Sequence, residues 1–290
     1  MIRVVTDSTA DIPEALMREW GLAMVPLLVQ FGAETLRDRV DITHHEFMRR
    51  LVGGKVLPTT SQPSPGAFEE QYRALADEGA DGIVSVHISE RLSGTIGAAR
   101  IAAEAVADRV PVEIVDSRST SLGLGFIALA AAKAARAGAD LAGVAAAARQ
   151  MVPNIHIIFF ADTLEYLMKG GRIGRAAAIA GSILALKPLM RLDEGMVVPY
   201  ERTRTRSKAI DGLVNFVADF PQIQQLGVLK SGDADPTVLL DRLARFFPRE
   251  RILVTECSPV IGVHLGPGAL GAIVDAGPAS APAAEAAPPA

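Results

Sequence analysis

Short β-branched segments alternate with longer alanine-rich stretches through the first half of this 290-residue chain. Strands are predicted at residues 2–5, 24–31, 82–87 and 112–115. Helices are predicted at residues 13–20, 44–52, 65–78, 95–107, 122–137 and 141–151. This alternation predicts a parallel sheet covered by helices on both faces, and ligands bind such sheets at the carboxyl ends of the strands.

The pattern changes after about Pro153. Asp193-Glu194-Gly195 indicates a hairpin turn, because glycine tolerates the backbone that such turns need. Other strands are predicted at residues 155–160, 226–229 and 252–256, and helices at 164–169, 174–186, 206–220 and 236–246. We therefore expect an α/β protein of two domains, with an N-terminal parallel sheet covered by helices (1–153) and a C-terminal mixed α+β domain (154–275). Residues 276–290 are rich in alanine and proline and carry one charge, and this composition predicts a disordered tail.

Charge and cysteine content exclude several classes of protein. The net charge of −4 and the pI near 5.8 argue against a nucleic-acid-binding surface. Cys257 is the only cysteine, so an intrachain disulfide and a cysteine-based metal cluster are excluded, and a reducing compartment fits. The longest apolar runs are shorter than the roughly 20 residues of a membrane span. The start of the sequence also lacks the apolar stretch of a signal peptide. We expect a cytoplasmic protein without stable membrane insertion.

Three polar, glycine-flanked segments lie far apart in the chain. Their sequences are TTSQPSPG at residues 59–66, LSGT at 92–95 and GVHLGPG at 262–268. Two of them lead into predicted helices, whose first N–H groups attract anions. Their hydroxyls can hold a carboxylate or phosphate without a fixed positive charge. The segments together predict a site for one small acidic head group.

These segments carry a family resemblance. Together with TDSTADIP at residues 6–13 and LEYLMKGGRI at 164–173, they resemble the DegV family of bacterial fatty-acid-binding proteins, in order from Val4 to about Gly271. The resemblance implies a two-domain DegV-like fold that holds a long-chain fatty acid in an apolar tunnel, with no cofactor, metal or catalytic residue. It also implies a carrier that presents the acid to a fatty acid kinase for phosphorylation and phospholipid synthesis.

The same resemblance implies which residues hold the carboxylate. The expected ligand-binding residues are Thr60, Ser61, Ser93, Gly94, Thr95 and His264, with Ser61 an alternate to Thr60. His264 would donate to the carboxylate or orient a hydroxyl that does. The chain departs from the family at several positions beside these residues. The departing residues are Ile96 and Gly97 after the Ser-Gly-Thr segment, and Val263 and Leu265 on either side of His264. Many members have threonine next to this histidine, so this chain uses fewer side-chain donors there.

Each polar segment also has a structural interpretation. Thr59–Ser61 would be a loop of capping residues, Ser93 the N-cap of the next helix, and His264 a structural histidine. Among the other charged or titratable residues, Asp11 is expected to cap the helix after Pro13. His44 and His45 are expected on the surface, and His87 and His156 in the core.

Arginines near the predicted site indicate a surface for a partner. Arg172 follows a glycine pair that predicts an exposed turn, and its guanidinium suits a phosphate or an acidic surface. Arg172 and Arg202 are therefore candidate contacts for the kinase, the alternative being ordinary surface residues. The roles of Arg204 and Arg206 stay open.

A second function stays open from the residues alone. Ser93, His264 and an aspartate could meet in space as the triad of a serine hydrolase that acts on acyl esters. The sequence has no Gly-x-Ser-x-Gly elbow, P-loop, dinucleotide fingerprint or zinc signature. The binding protein is therefore the first hypothesis and the hydrolase the second.

Overall fold

The computed structural model describes residues 1–54, 56–177 and 187–278. Its strands are β1 (Ile2–Asp7), β2 (Ala23–Val25), β3 (Leu28–Phe31), β4 (Glu34–Arg37), β5 (Thr59–Ser61), β6 (Gly82–His87), β7 (Val112–Asp116), β8 (Ile155–Phe160), β9 (Leu189–Asp193), β10 (Met196–Glu201), β11 (Gln225–Lys230), β12 (Leu253–Glu256) and β13 (Leu270–Asp275). Its helices are α1 (Glu14–Trp20), α2 (His44–Gly53), α3 (Pro65–Asp77), α4 (Thr95–Ala105), α5 (Ser121–Arg136), α6 (Leu141–Met151), α7 (Glu165–Lys169), α8 (Arg206–Ala218), α9 (Thr237–Leu243) and α10 (Pro259–Leu265).

The predicted parallel sheet is confirmed, with strand order β2-β1-β6-β7. Side chains alternate between its faces, so neighbouring residues of one strand enter different cores. Val4 packs with α5 and α6, and Val5 packs with α3 and α4. Helices therefore cover both faces of this sheet, and the carboxyl ends of its strands stay open to the second half of the molecule.

A small antiparallel sheet of order β4-β3-β5 is absent from the sequence prediction. The single predicted strand at residues 24–31 is wrong, because the chain leaves the parallel sheet at Val25 and enters the small sheet at Leu28. Pro26, which has no N–H to donate, lies at this break. Leu27 donates its N–H to the hydroxyl of Ser8 at 3.0 Å, which fixes the crossing between the two sheets.

The second half forms a six-stranded mixed sheet of order β10-β9-β8-β13-β11-β12. Ile158 and Phe160 pack on one face with α8 and α9. Ile157 and Phe159 face the opposite core, which also contains residues of α2 and α10. Because that core joins the two halves of the chain, elements of both can line one cavity. The domain boundary after residue 153 stays a prediction.

Several local predictions hold and two lie largely outside the described residues. Thr43 and Ser64 cap α2 and α3 as predicted, each accepting a backbone N–H of the first helical turn. The predicted hairpin joins β9 and β10, with Glu194 and Gly195 both at positive φ. The predicted helix at 174–186 and tail at 276–290 fall mainly on residues that are not described. Among the described residues, no helix is long and apolar enough to cross a bilayer.

Candidate functional site

A cavity of about 290 Å³ lies where the carboxyl ends of the parallel strands face α10 and the six-stranded sheet. Its wall is mainly apolar, formed by Leu27, Ile88, Leu92, Ile157, Phe159, Leu167, Leu192, Val197, Leu229, Val260, Ile261 and Leu265. The remaining lining residues are polar or charged, namely Thr60, Ser61, Gln62, Ser93, Thr120, Ser121, Arg172 and His264. The chemistry of this wall suits an amphipathic molecule with a long apolar part.

Thr60 and His264 meet in this cavity. Thr60 lies on β5, where backbone pairing with β3 holds it, so the interpretation of residues 59–61 as a loop is wrong. His264 lies in the last turn of α10, just before Gly266, rather than in a glycine-flanked turn. Thr60 Oγ1 and His264 Nε2 are 3.0 Å apart. Two sequence-predicted residues are thus brought into direct contact.

The imidazole of His264 is held in a narrow space. Its Nδ1 atom is buried and has no hydrogen-bond partner among the described residues. A Cβ atom at Gly170 would lie 2.1 Å from this Nδ1, so only glycine leaves room for the ring. Burial, and then the positive charge of Arg172, lower the pKa of His264 to about 4. The ring is therefore neutral at pH 7, with one nitrogen donating and one accepting.

Ser93, Gly94 and Thr95 form the turn between β6 and α4. Ser93 lines the cavity, and its hydroxyl lies 2.8 Å from that of the buried Thr95. The N-cap position of α4 is held by Gly94 and not by Ser93, so the structural interpretation of Ser93 is wrong. The side-chain amide of Gln62 packs closely over Gly94, since a Cβ at this position would lie 2.2 Å from Gln62 Oε1. Ser61 also lines the cavity, whereas Gly94 and Thr95 support the residues that do.

Arg172 lines the same cavity, although its side chain is also exposed to solvent. Its Nε donates to the carbonyl of Leu92 at 3.0 Å, and its Nη1 donates to the carbonyl of Gly170 at 2.9 Å. The bond to Leu92 ties the segment after α7 to the segment after β6, and the bond to Gly170 stays within the segment after α7. Arg202 is exposed and follows β10, away from the cavity lining. The expectation that both arginines contact a partner stays a prediction.

The sequence interpretation missed a buried carboxyl beneath the cavity. Asp11 accepts a hydrogen bond from the Ser121 hydroxyl at 2.6 Å and one from the Ser258 N–H at 2.8 Å. It does not cap α1, which was the expectation. Burial raises the pKa of Asp11 to about 7, although these hydrogen bonds oppose the shift. Asp11 and Ser121 both have positive φ. Both also follow strands of the parallel sheet, and this position is the one sequence signal that could have pointed to them.

The other histidines lie outside the cavity wall. His87 is fully buried, as predicted, between Asp7 and Ser85. His156 is partly buried against the ring of Phe220. His44 is half-buried and accepts the N–H of Gly232, so the surface prediction for it is wrong; that for His45 is confirmed.

Hydroxyls, a neutral imidazole and a guanidinium thus meet at one apolar cavity, and this combination is able to hold an anionic head group. Within the described ranges, no cluster of histidine, cysteine, aspartate and glutamate is suited to a metal ion. The fold and the cavity define a mixed α/β protein with an amphipathic site between its parallel sheet and its six-stranded sheet.

The chain belongs to the DegV family. The family model described as "Uncharacterised protein, DegV family" matches residues 1–276. A DegV domain-containing protein of Streptomyces coelicolor is 42% identical over 277 residues, 94% of this chain and 98% of the relative.

Two solved structures share the fold over nearly their whole length. A DegV family protein of Thermus thermophilus, described by its fatty acid binding, superposes with a TM-score of 0.86 at 38% identity, covering 94% of this chain and 99% of the other. DegV of Bacillus subtilis, described as a fatty acid binding protein, superposes with a TM-score of 0.84 at 32% identity, covering 94% and 99%. The predicted family and the predicted fold class are both confirmed.

Proposed function

We propose that this protein binds a long-chain fatty acid in the cavity and carries it to a fatty acid kinase. The observation that supports binding most directly is the Thr60–His264 pair at the wall of an otherwise apolar cavity. The fatty acid binding named for the DegV proteins of Thermus thermophilus and Bacillus subtilis supports the same ligand class.

The carboxylate is proposed to lie at Thr60, Ser61 and Ser93. A carboxylate only accepts hydrogen bonds, so each hydroxyl must donate to it. If His264 Nε2–H donates to Thr60 Oγ1, the Thr60 hydroxyl proton is left for the ligand. His264 then orients a donor rather than donating itself, which is one of the two roles that the sequence left open. Gly94 and Thr95 complete this end of the site as the supporting turn.

The acyl chain is proposed to supply most of the affinity. Each buried CH₂ contributes about 0.8 kcal/mol, so a long chain supplies on the order of 10 kcal/mol before the entropy of binding is subtracted. The apolar wall offers the surface for that burial. The polar groups at the other end then need only orient the head group.

Delivery to the kinase is the second part of the proposal. The carboxylate has to be reached by a phosphoryl donor while its tail stays bound. Arg172 is suited to this step, because it lines the cavity and is also exposed. The exposed Arg202 is the second candidate contact for the kinase or its phosphate. The acyl phosphate would then pass to phospholipid synthesis, in the cytoplasm.

The serine hydrolase is the weaker candidate on the observed geometry. A triad needs a serine hydroxyl on the imidazole and a carboxylate on its other nitrogen. Ser93 Oγ instead contacts Thr95, and His264 Nε2 contacts Thr60. The Nδ1 of His264 has no acceptor or donor among the residues that the structure describes. We therefore propose a carrier without intrinsic esterase activity.

Native mass spectrometry of freshly purified protein tests the binding function. A mass increment equal to a long-chain fatty acid is expected, and the increment also reports the chain length. Protein that carries no acyl chain and fails to take up added fatty acid would contradict the proposal. Turnover of an acyl ester that is lost in Ser93→Ala would instead support the hydrolase.

A further inference from the structure

A second pocket, of about 570 Å³, shares part of its lining with the cavity. Its other lining residues include the charged side chains of Glu90, Arg100, Asp116, Arg118, Arg149 and Glu194. Of the residues that the structure describes, only Ile157 and Leu192 line both spaces. These two apolar residues therefore lie where the cavity and the second pocket meet.

Strand β8 runs from the second pocket into the cavity. Alternate residues of a strand share a face, so Ile155, Ile157 and Phe159 form one row, with steps of about 7 Å. Ile155 lines the second pocket, Ile157 lines both spaces, and Phe159 lines the cavity. The second pocket is therefore the continuation of the cavity towards the amino end of β8.

The side chains of Ile157 and Leu192 form a partition at this junction. Ile157 is buried and reaches from β8 to the backbone of α5, because a Cβ at Gly123 would lie 2.8 Å from Ile157 Cδ1. Leu192 lies beside it on β9. The antiparallel register that pairs Ile158 with Arg191 places Leu192 opposite Ile157, and opposite residues share a face.

The partition lies at the end of the cavity that is far from the head group. The carboxyl end of β8 leads into α7, and Gly170, directly after α7, adjoins the imidazole of His264. Ile157 lies near the opposite, amino end of the same strand. A fatty acid with its carboxylate near His264 and its chain along β8 therefore directs its methyl end towards the partition.

From this arrangement we infer that Ile157 and Leu192 set the upper limit of the chain length of the bound fatty acid. Each further CH₂ adds apolar burial until the methyl end meets the partition. A longer chain has to displace packed side chains, and beyond them it meets the charged lining of the second pocket. This inference rests on the proposed fatty-acid binding and names the residues that decide which acids fit.

Competition among acids of different length tests the inference. Each protein is offered an equimolar mixture of the even-numbered saturated acids from lauric to behenic acid, and native mass spectrometry reads which acids are bound. In the wild type, occupancy should rise by about 4-fold for each added CH₂ and then fall sharply at a limiting length. Because the acids compete in one sample, a general loss of affinity in a variant does not change their ratio.

Ile157→Ala and Leu192→Ala should each move the limit to a longer acid. The first acid above the wild-type limit should gain about 10-fold in occupancy relative to the acid at that limit. Ile155→Ala is the matched control and should keep the wild-type limit. It removes the same side chain from the same face of β8, at a residue that lines the second pocket and not the cavity.

Leu192 is only partly buried, so Leu192→Ala decides the test if Ile157→Ala does not fold. Three results would overturn the inference and leave the proposed function intact. They are wild-type occupancy that still rises at behenic acid, the wild-type limit in either folded partition variant, and an equal shift in Ile155→Ala. A wild-type protein that takes up none of the acids would overturn the proposed function as well.

Discussion

Thr60 Oγ1 and His264 Nε2 are 3.0 Å apart although 204 positions separate them in the chain. Thr60 is held by the small antiparallel sheet and His264 by α10, which packs against that sheet. The hydrogen bond thus joins the first quarter of the chain to its end. Any change that moves either element alters the donor that we assign to the ligand carboxylate.

The first prediction concerns this donor. Thr60→Val and Ser93→Ala should each weaken fatty-acid binding about 10- to 100-fold, because each removes a hydrogen bond to a charged oxygen worth about 1.5–3 kcal/mol. Titration with a fluorescent fatty acid measures the loss. Thr59→Val is the matched control, since the exposed Thr59 lies on the same strand and its hydroxyl bonds Gln30 instead. Unchanged affinity in both site variants would contradict the assigned head-group site.

The second prediction concerns the space that the imidazole needs. Gly170→Ala should weaken binding as much as His264→Ala does, because the added Cβ would lie 2.1 Å from His264 Nδ1 and displace the ring. Gly97→Ala is the control. No atom lies within 4 Å of the Cβ that it adds, and alanine favours the helix. Paired titrations and thermal melts separate lost binding from lost stability. Wild-type affinity in a folded Gly170→Ala variant would show that the ring position does not matter.

How far the sequence predicts this architecture depends on the range of the interactions involved. The parallel sheet follows from local pattern, since the buried runs at β1 and β6 alternate with helical stretches. The strand at Thr59–Ser61 does not, because three polar residues carry no strand pattern and only pairing with β3 makes them one.

The residues of the site also divide into those that local sequence signals predict and those that depend on long-range contacts. Turn chemistry and family resemblance pointed to Thr60, Ser93 and His264, which all line the cavity. No local rule distinguishes Asp11 as a buried carboxyl from Asp11 as a helix cap. Its burial depends on Ser121 and Ser258, which are 110 and 247 positions away.

The third prediction concerns pH and the Asp11 carboxyl. Its pKa in the folded protein, about 7, exceeds the ordinary value of 3.8 because burial disfavours the charge. The folded state therefore binds more protons than the unfolded state between these values, and the contribution of Asp11 to stability falls as pH rises through this window. The slope is at most about 1.4 kcal/mol per pH unit.

Chemical denaturation of wild type and Asp11→Asn between pH 4 and 8 measures this contribution. The stability of wild type minus that of the variant should decrease from pH 4 to about 7 and then level off. Asp41→Asn is the control, because the hydrogen bond from Arg37 lowers the pKa of that exposed carboxyl to about 2, below the tested window. A difference for Asp11→Asn that is flat over the whole window would show that its pKa is not raised.

The fourth prediction separates binding from delivery to the kinase. Arg202→Ala should leave fatty-acid affinity unchanged but slow phosphorylation of the bound acid by a cognate kinase, because Arg202 is exposed and outside the cavity lining. Arg172→Ala should impair both quantities. It removes a cation from the cavity wall and releases the bonds to Leu92 and Gly170, the residue that adjoins His264.

The measurement is paired, with lipid affinity from titration and phosphoryl transfer from a reconstituted assay. Arg91→Ala is a suitable control, since Arg91 is exposed just before the turn that contains Ser93 but does not line the cavity. Equal phosphorylation by wild type and Arg202→Ala would remove Arg202 from the proposed contact surface. Unchanged affinity in Arg172→Ala, together with slower phosphorylation, would make Arg172 a partner contact alone, because the tail would then hold the acid without help from the guanidinium.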